Sequence, residues 1–368
     1  MHERYFDNAA TTPVDPRVVE AMLPWFTEFP GNAHSLHHYG AKAMDAVEKA
    51  RAQVAQLIGA EDPSQITFTS GATEANNWVL NALADQFEVS IVEHSSIRDT
   101  AEKLGIPFFY PPAEVPQLVS STDAPPRQPL LRAQMLVNNE TGTIFDERTR
   151  VPGAYLVDAT QALGKIDFHV GDLEYVTGSA HKFFGPKGIG FLYQRFPGSI
   201  PPFITGGGQE RGERSGTLNV PAIVGMGKAA EIAIHETHQR HVHVERLNEI
   251  FCCSFEGDFS YPKEPPHGEY RINGGDRRSP YIISLSFAGI EGESLLIELD
   301  QAGFYCSAGA ACSSKNTEPS PVLKAFGVPD EYIRGTIRVS FSHYNTEEST
   351  YQLATEIRRI VTKLRELR

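Results

Sequence analysis

Hydrophobic positions along the chain follow two different periods, and each period predicts a kind of element. Over 39–60, Met44, Val47, Val54, Leu57 and Ile58 fall on one face of a 3.6-residue repeat. Asp45, Glu48, Lys49 and Arg51 point elsewhere, and Gly59 closes the predicted helix. Short apolar runs then take over: Ile66-Thr67-Phe68-Thr69, Val89-Ser90-Ile91-Val92, Ala133-Gln134-Met135-Leu136-Val137, Tyr155-Leu156-Val157 and Tyr175-Val176-Thr177. Each run ends in small or polar residues, the pattern of buried parallel strands that carry function at their carboxyl ends. The proline-rich stretch 107–129 lacks periodicity and reads as surface loop. Between Val137 and Tyr155, the polar run Asn138-Asn139-Glu140-Thr141-Gly142 and the pair Pro152-Gly153 leave little room for a helix. A bare loop is expected there, although parallel crossovers usually carry a helix. A helical region over 228–255 leads to strand signals at Tyr281-Ile282-Ile283-Ser284-Leu285-Ser286 and Ile337-Arg338-Val339-Ser340, and 346–368 reads as an amphipathic terminal helix. The pattern predicts a large α/β domain with a mainly parallel sheet, followed by a smaller α+β domain.

Composition narrows the function class. A chain of 368 residues with 40% hydrophobic and 21% charged positions is that of an ordinary globular protein of two domains. No apolar stretch approaches the roughly 20 residues of a membrane span. The opening Met1-His2-Glu3-Arg4-Tyr5-Phe6 lacks a signal-peptide pattern, so a cytoplasmic location is expected. A net charge of −13 without a basic run disfavours nucleic acid. The four cysteines, Cys252, Cys253, Cys306 and Cys312, do not form a disulfide framework, and no Cys-x-x-Cys suggests zinc. Cys252 and Cys253 read as buried structural thiols, and Cys306 as strand packing.

Several polar clusters follow the predicted strands. Ser179-Ala180-His181-Lys182 places a lysine after a strand and before a Gly/Pro turn, where its amine is suited to a Schiff base. Asp158 stands at the end of another strand, where a buried carboxylate keeps a pyridine nitrogen protonated, and Gln161 lies within reach of a ring oxygen. Ser70-Gly71-Ala72-Thr73-Glu74 opens a helix with small residues, a place where backbone N–H groups approach a phosphate. Glu93-His94-Ser95-Ser96 supplies a histidine for stacking or proton transfer. Taken singly, each has an ordinary structural reading as a turn lysine, a helix cap or a polar histidine.

Taken together they form an ordered set. With Tyr5-Phe6-Asp7-Asn8-Ala9-Ala10-Thr11-Thr12, Val137-Asn138-Asn139-Glu140, Gly206-Gly207-Gly208-Gln209-Glu210-Arg211-Gly212, Arg214-Ser215-Gly216-Thr217 and Cys312, the chain resembles the class V aminotransferase branch of fold-type I pyridoxal-phosphate enzymes. More narrowly, it resembles cysteine desulfurases of the nitrogen-fixation and iron–sulfur-cluster type. The resemblance implies a large domain over 15–235, and a small domain from 1–14 and 236–368 that carries a catalytic cysteine loop. It implies that Lys182 binds pyridoxal 5'-phosphate and shuttles protons, and that His94 stacks on the ring. Ala72, Thr73, Ser179, His181 and, from a neighbouring subunit, Thr217 would hold the phosphate, with Asp158 and Gln161 on the ring. Asn139 and Arg338 would take the substrate carboxylate. Cys312, among the small residues Ser307-Ala308-Gly309-Ala310-Ala311, would sit in a mobile loop and attack the sulfur of L-cysteine, leaving a persulfide and releasing L-alanine.

Implied with these roles are a homodimer and a sulfur-acceptor protein serving iron–sulfur cluster assembly or tRNA thiolation. The sequence leaves open another class V aminotransferase, a selenocysteine lyase and a non-catalytic sulfur-relay subunit. Asn32-Ala33-His34-Ser35-Leu36-His37 departs from the family's usual Asn-Pro-Ser-Ser-x-His, and the three histidines His34, His37 and His38 are read as no metal site.

Overall fold

The computed structural model describes residues 2–111, 131–145, 154–256, 270–308 and 319–367. Seven strands form the large sheet: β1 Ile66–Thr69, β2 Phe87–Ser90, β3 Phe108–Phe109, β4 Leu131–Ala133, β5 Ala154–Asp158, β6 Tyr175–Ser179 and β7 Gly190–Gln194, in the order β1-β7-β6-β5-β4-β2-β3. The pairs β3–β2, β2–β4, β4–β5 and β5–β6 are parallel. β7 was not foreseen, and it pairs antiparallel with both β1 and β6, so β1 is not one of the parallel strands. A second sheet, β8 Arg271–Asn273, β9 Ile282–Ser286 and β10 Thr336–Ser340, is antiparallel throughout, in the order β10-β9-β8.

Side chains alternate across the large sheet and feed two separate cores. Tyr155, Val157, Val176, Phe191 and Tyr193 join the helix His38–Ile58 and the first half of the long helix Val220–Glu256. Leu156, Tyr175 and Leu192 point the other way, to the helices Ala72–Ala82 and Ser95–Leu104. Both faces are therefore covered, and Leu156→Ala would open a hole costing about 2–5 kcal/mol. The second half of the long helix turns Val244, Leu247, Phe251 and Phe255 into a third core with β9, β10 and the terminal helix Glu347–Glu366. Phe6 joins that core beside Phe304 and Phe341, and Tyr5 and Asp7 bridge Tyr305 and Ser340.

Several expectations need correction. The run ending at Val92 stops being strand at Ser90, because Ile91 and Val92 turn toward His94. The run expected over 133–137 is strand only to Ala133, although the Gln134 and Leu136 amides still donate to Leu156 and Asp158 carbonyls at 3.0 Å. The stretch read as loop from 107 begins with β3, and 112–130 lies outside the described residues. In the β4–β5 crossover, 134–145 carries no helix, and 146–153 lies outside the described residues. Arg51, which points away from the helix's apolar face, is nevertheless 2% exposed and ion-paired with Glu210 at 2.7 Å. Cys252 is half-buried, packed at the edge of the third core, and Cys253 is exposed on the outer face of the last turns of the long helix.

Candidate active site

Parallel strands align their carboxyl ends, and the chemistry foreseen in the sequence gathers there. Asp158 is the last residue of β5 and Ser179 the last of β6. Ala180–Lys182 is a single 3₁₀ turn that follows at once, so Lys182 stands just beyond the sheet edge. Thr69 and Ser179 both face Gly190 across the β7 ladder, which brings the N-terminus of the helix Ala72–Ala82 to the same edge. A side chain at 190 would put its Cβ 2.6 Å from the Gly71 Cα, so only glycine admits this approach.

A cavity of about 1000 Å³ opens over this edge, lined by Ala72, Thr73, Glu93, His94, Asn139, Asp158, Gln161, Ser179, His181, Lys182 and Arg338, among others. A smaller recess of about 380 Å³ shares Ala72, Thr73, Ser179 and His181 with it and adds Ser70, Gly71 and Lys187. The Ser179 hydroxyl accepts from the Ala72 N–H at 2.8 Å. Lys182 donates to the Ala9 and Ala10 carbonyls at 2.7 and 2.8 Å. Asp158 accepts from Asn76 Nδ2 at 3.1 Å and from the Thr160 N–H at 2.9 Å. Gln161 donates to the Ala9 carbonyl at 2.8 Å and accepts from the buried Lys165 amine at 2.8 Å.

His94 caps the helix Ser95–Leu104, and its Nδ1 accepts from the Ser96 N–H at 3.1 Å. The proton of the neutral ring is therefore assigned to Nε2. Burial lowers its pKa, with Lys182 and Arg98 acting the same way and Asp158 opposing. Burial, helped by Lys182, pushes His181 down to about 4, and its Nδ1 meets the Thr11 hydroxyl at 3.1 Å. Glu93, fully enclosed, is pushed up to about 8 by burial, and the charge of Asp158 adds to the effect. Both histidines are thus neutral near pH 7, and Glu93 carries a proton.

Arg338 reaches the cavity from β10. Its guanidinium donates to the Asn139 carbonyl at 2.9 Å, to Asp7 at 3.0 Å and to the Ser307 hydroxyl at 2.9 Å. The buried Asn139 Oδ1 and Arg338 Nε make no hydrogen bond within the described residues. Thr217 is exposed and does not line this chain's cavity. Its segment is tied to the helix Ala72–Ala82 by Arg214, which donates twice to Glu74 at 2.8 and 3.0 Å. Cys312 lies outside the described residues. Cys306 sits between backbone bridges at Tyr305 and Ser307, and burial raises its thiol far above the ordinary range.

Sequence reasoning missed Glu93, which lines the cavity, and Asn76 and Lys165, which hydrogen-bond the cavity residues Asp158 and Gln161. Asn76 lies one helical turn after Ala72, so the helical period was a signal for it. Lys165 and Gln161 share the same four-residue spacing.

The donor set fits pyridoxal phosphate. A helix N-terminus with hydroxyl, imidazole and Lys187 neighbours suits a phosphate, the end-of-strand carboxylate suits a ring nitrogen, and a buried-edge amine lies between them. The fold and this constellation define a pyridoxal-phosphate enzyme of fold type I. The family described as Aminotransferase class-V matches residues 4–353, and the chain belongs to it, among its cysteine desulfurases. It is 39% identical to the cysteine desulfurase IscS of Dictyoglomus turgidum, covering 99% of this chain and 95% of that one. With the cysteine desulfurase IscS 1 of Archaeoglobus fulgidus identity is 38%, over 99% and 98% of the two chains. Among solved structures, a NifS-like protein superposes with a TM-score of 0.82 at 34% identity, over 98% of this chain and all of the other. DndA of Streptomyces lividans gives 0.69 at 31%, over 92% and 99%.

Proposed function

We propose that this enzyme removes sulfur from L-cysteine, releasing L-alanine and leaving the sulfur as a persulfide on Cys312. The reading is carried by the gathering of Lys182, Asp158, His94, Asn139 and Arg338 around one cavity, in a chain similar to cysteine desulfurases along 99% of its length. Pyridoxal phosphate, when bound, supplies the electron sink that lets bonds next to an amino-bearing carbon break. Ala72, Thr73, Ser179 and His181 would hold its phosphate, and Asp158 and Gln161 its ring. Arg338, already oriented by Asp7 and Ser307, offers a guanidinium to the substrate carboxylate, with Asn139 beside it. Lys182 and the Nε2 of neutral His94 are the groups able to hold or move a proton over the cavity floor.

The sulfur then passes to an acceptor protein, for iron–sulfur clusters or tRNA thiolation. Two copies are read as assembling so that each supplies Thr217 to the other's phosphate. We read 15–235 as the large domain, and 1–14 with 236–368 as the small one. The way Phe6 packs on Phe341 supports placing the first residues there. Free thiols at Cys252, Cys253 and Cys306 fit a cytoplasmic setting.

The test is product analysis of the purified enzyme with L-cysteine and a thiol reductant. Equal sulfide and alanine support the reading. A keto acid without sulfide would make the chain an aminotransferase instead.

A further inference from the structure

Lys165 is a costly residue for which the catalytic reading has no use. It is 2% exposed, and its amine donates to Gln161 Oε1 at 2.8 Å. No carboxylate pairs with it among the described residues. Burial, with the charges of Lys182 and Arg338 adding to it, pushes its pKa down to about 7. A buried amine without a counter-ion is destabilising, so a compensating role elsewhere is expected.

The geometry around Gln161 supplies that role. A glutamine amide has two ends of nearly equal shape, and only its partners decide which way round it sits. Here one partner is a pure acceptor, the Ala9 carbonyl, which takes one Nε2 hydrogen at 2.8 Å. The other is the Lys165 amine, which donates to Oε1 at 2.8 Å. Both partners favour the same orientation. The second Nε2 hydrogen is left over, and Gln161 lines the cavity. The Ala9 carbonyl alone is a weaker fixture, because it is shared with Lys182 at 2.7 Å.

We propose that Lys165 is a positioning residue that fixes the Gln161 amide so that its remaining N–H is presented to the cofactor's ring oxygen. The proposal rests on pyridoxal phosphate occupying this cavity with Gln161 at its ring. Without Lys165 the Oε1 end loses its donor, and the amide turns to present an acceptor to another acceptor.

The experiment compares Lys165→Met, Gln161→Ala and the double variant. Three quantities are read: the dissociation constant of pyridoxal phosphate by fluorescence, the ratio of the cofactor's two near-ultraviolet and visible bands at fixed pH, and the melting temperature of the cofactor-free protein. Lys165→Met should weaken cofactor binding about 10-fold and alter the band ratio. The double variant should be no worse than Gln161→Ala alone. The cofactor-free Lys165→Met protein should melt no lower than wild type, because a buried cation has been replaced by an apolar chain of similar volume. Wild-type affinity and spectrum in Lys165→Met, multiplicative losses in the double variant, or a variant that melts lower or does not fold each overturn the proposal. A wild type that binds no pyridoxal phosphate overturns the cofactor reading as well, and the missing absorbance distinguishes that case.

Discussion

Asn76 meets Asp158 side chain to side chain at 3.1 Å, and Thr177 decides which end of the amide does so. The Thr177 hydroxyl donates to Asn76 Oδ1 at 2.7 Å, which turns Nδ2 toward Asp158 and toward the Ser96 hydroxyl at 3.0 Å. β6 and the helix Ala72–Ala82 thus fix a carboxylate that stands at the end of β5. Asn76→Ala should leave the fold intact and weaken pyridoxal-phosphate binding about 10-fold or more, as expected for losing a bond to a charged group. Asn76→Asp, which sets a second carboxylate against Asp158, should be worse. Equilibrium dialysis of the cofactor checks both, and unchanged affinity in Asn76→Ala would remove Asp158's support from the site.

Lys182→Ala should abolish turnover, and borohydride should no longer fix the cofactor to the protein. In wild type, peptide mapping after borohydride should find the added mass at Lys182, whose amine lies over the sheet edge between Ala9 and Ala10. Mass on Lys187 or on the nearly inaccessible Lys165 would displace the assignment.

Glu93 predicts a pH dependence with a definite sign. Its carboxyl titrates near 4.5 in the unfolded chain and near 8 in the native one, so between these values the native state binds the extra proton. Its contribution to stability is whole below the lower value and is lost as pH rises toward the upper one. Glu93→Gln, which mimics the protonated acid, should therefore gain on wild type as pH rises from 5 to 8. A relative rise of roughly 5 °C in melting temperature is expected over that span. Parallel melting curves across the range would show that Glu93 is ionised in the fold.

Arg51 and Glu210 explain why part of the molecule is legible in sequence and part is not. Asp158 and Lys182 stand at or just past the ends of apolar runs, so strand patterning placed them near a sheet edge, and the ordered set of motifs and the family it resembles gave them their roles. Arg51 sits on a helix among other charges, and its burial is not legible there, because its partner lies 159 residues further on. β7 follows a Gly/Pro turn, and nothing local says that it returns antiparallel. Asn76 and Lys165 are polar residues on helical or turn spacing, and only the packed arrangement reveals which face meets the site.

The same pair carries a stability prediction. Glu210 takes both guanidinium NH groups of Arg51 at 2.7 Å and the Phe68 N–H at 2.7 Å, while its own backbone and that of Arg211 hold left-handed φ values of 50° and 59°. Glu210→Ala takes away the buried partner of the Arg51 guanidinium, leaving it Glu48 at 3.1 Å and the Ile66 carbonyl at 2.8 Å, strands the Phe68 N–H, and should cost about 3 kcal/mol. Arg51→Met with Glu210→Leu should recover much of that loss, read by denaturant unfolding. An additive double variant would mean that the two side chains act independently.

Sulfur transfer can be separated from cofactor chemistry by comparing the cysteines. Attack on a substrate sulfur requires a thiolate on an accessible side chain. Cys306 fails on the first count: burial raises its thiol, Asp7 adds to the effect, and at neutral pH it stays protonated. Cys252 and Cys253 are half-buried and exposed respectively, but both stand on the last turns of the long helix and neither lines the cavity. Cys312 is the remaining candidate that the family pattern names, 26 positions before Arg338 in the chain. Cys312→Ala should bind pyridoxal phosphate with wild-type affinity and still show a spectral change on adding L-cysteine, yet release less than about 1% of the sulfide, since a nucleophile has been removed from the reaction. Cys306→Ala and Cys253→Ser should keep most of the activity. Mass spectrometry after brief exposure to L-cysteine without reductant should find a 32 Da addition, roughly one sulfur, on the peptide containing Cys312. Sulfur on Cys306 or Cys253 alone, or full activity in Cys312→Ala, would reassign the nucleophile and with it the route by which sulfur leaves the enzyme.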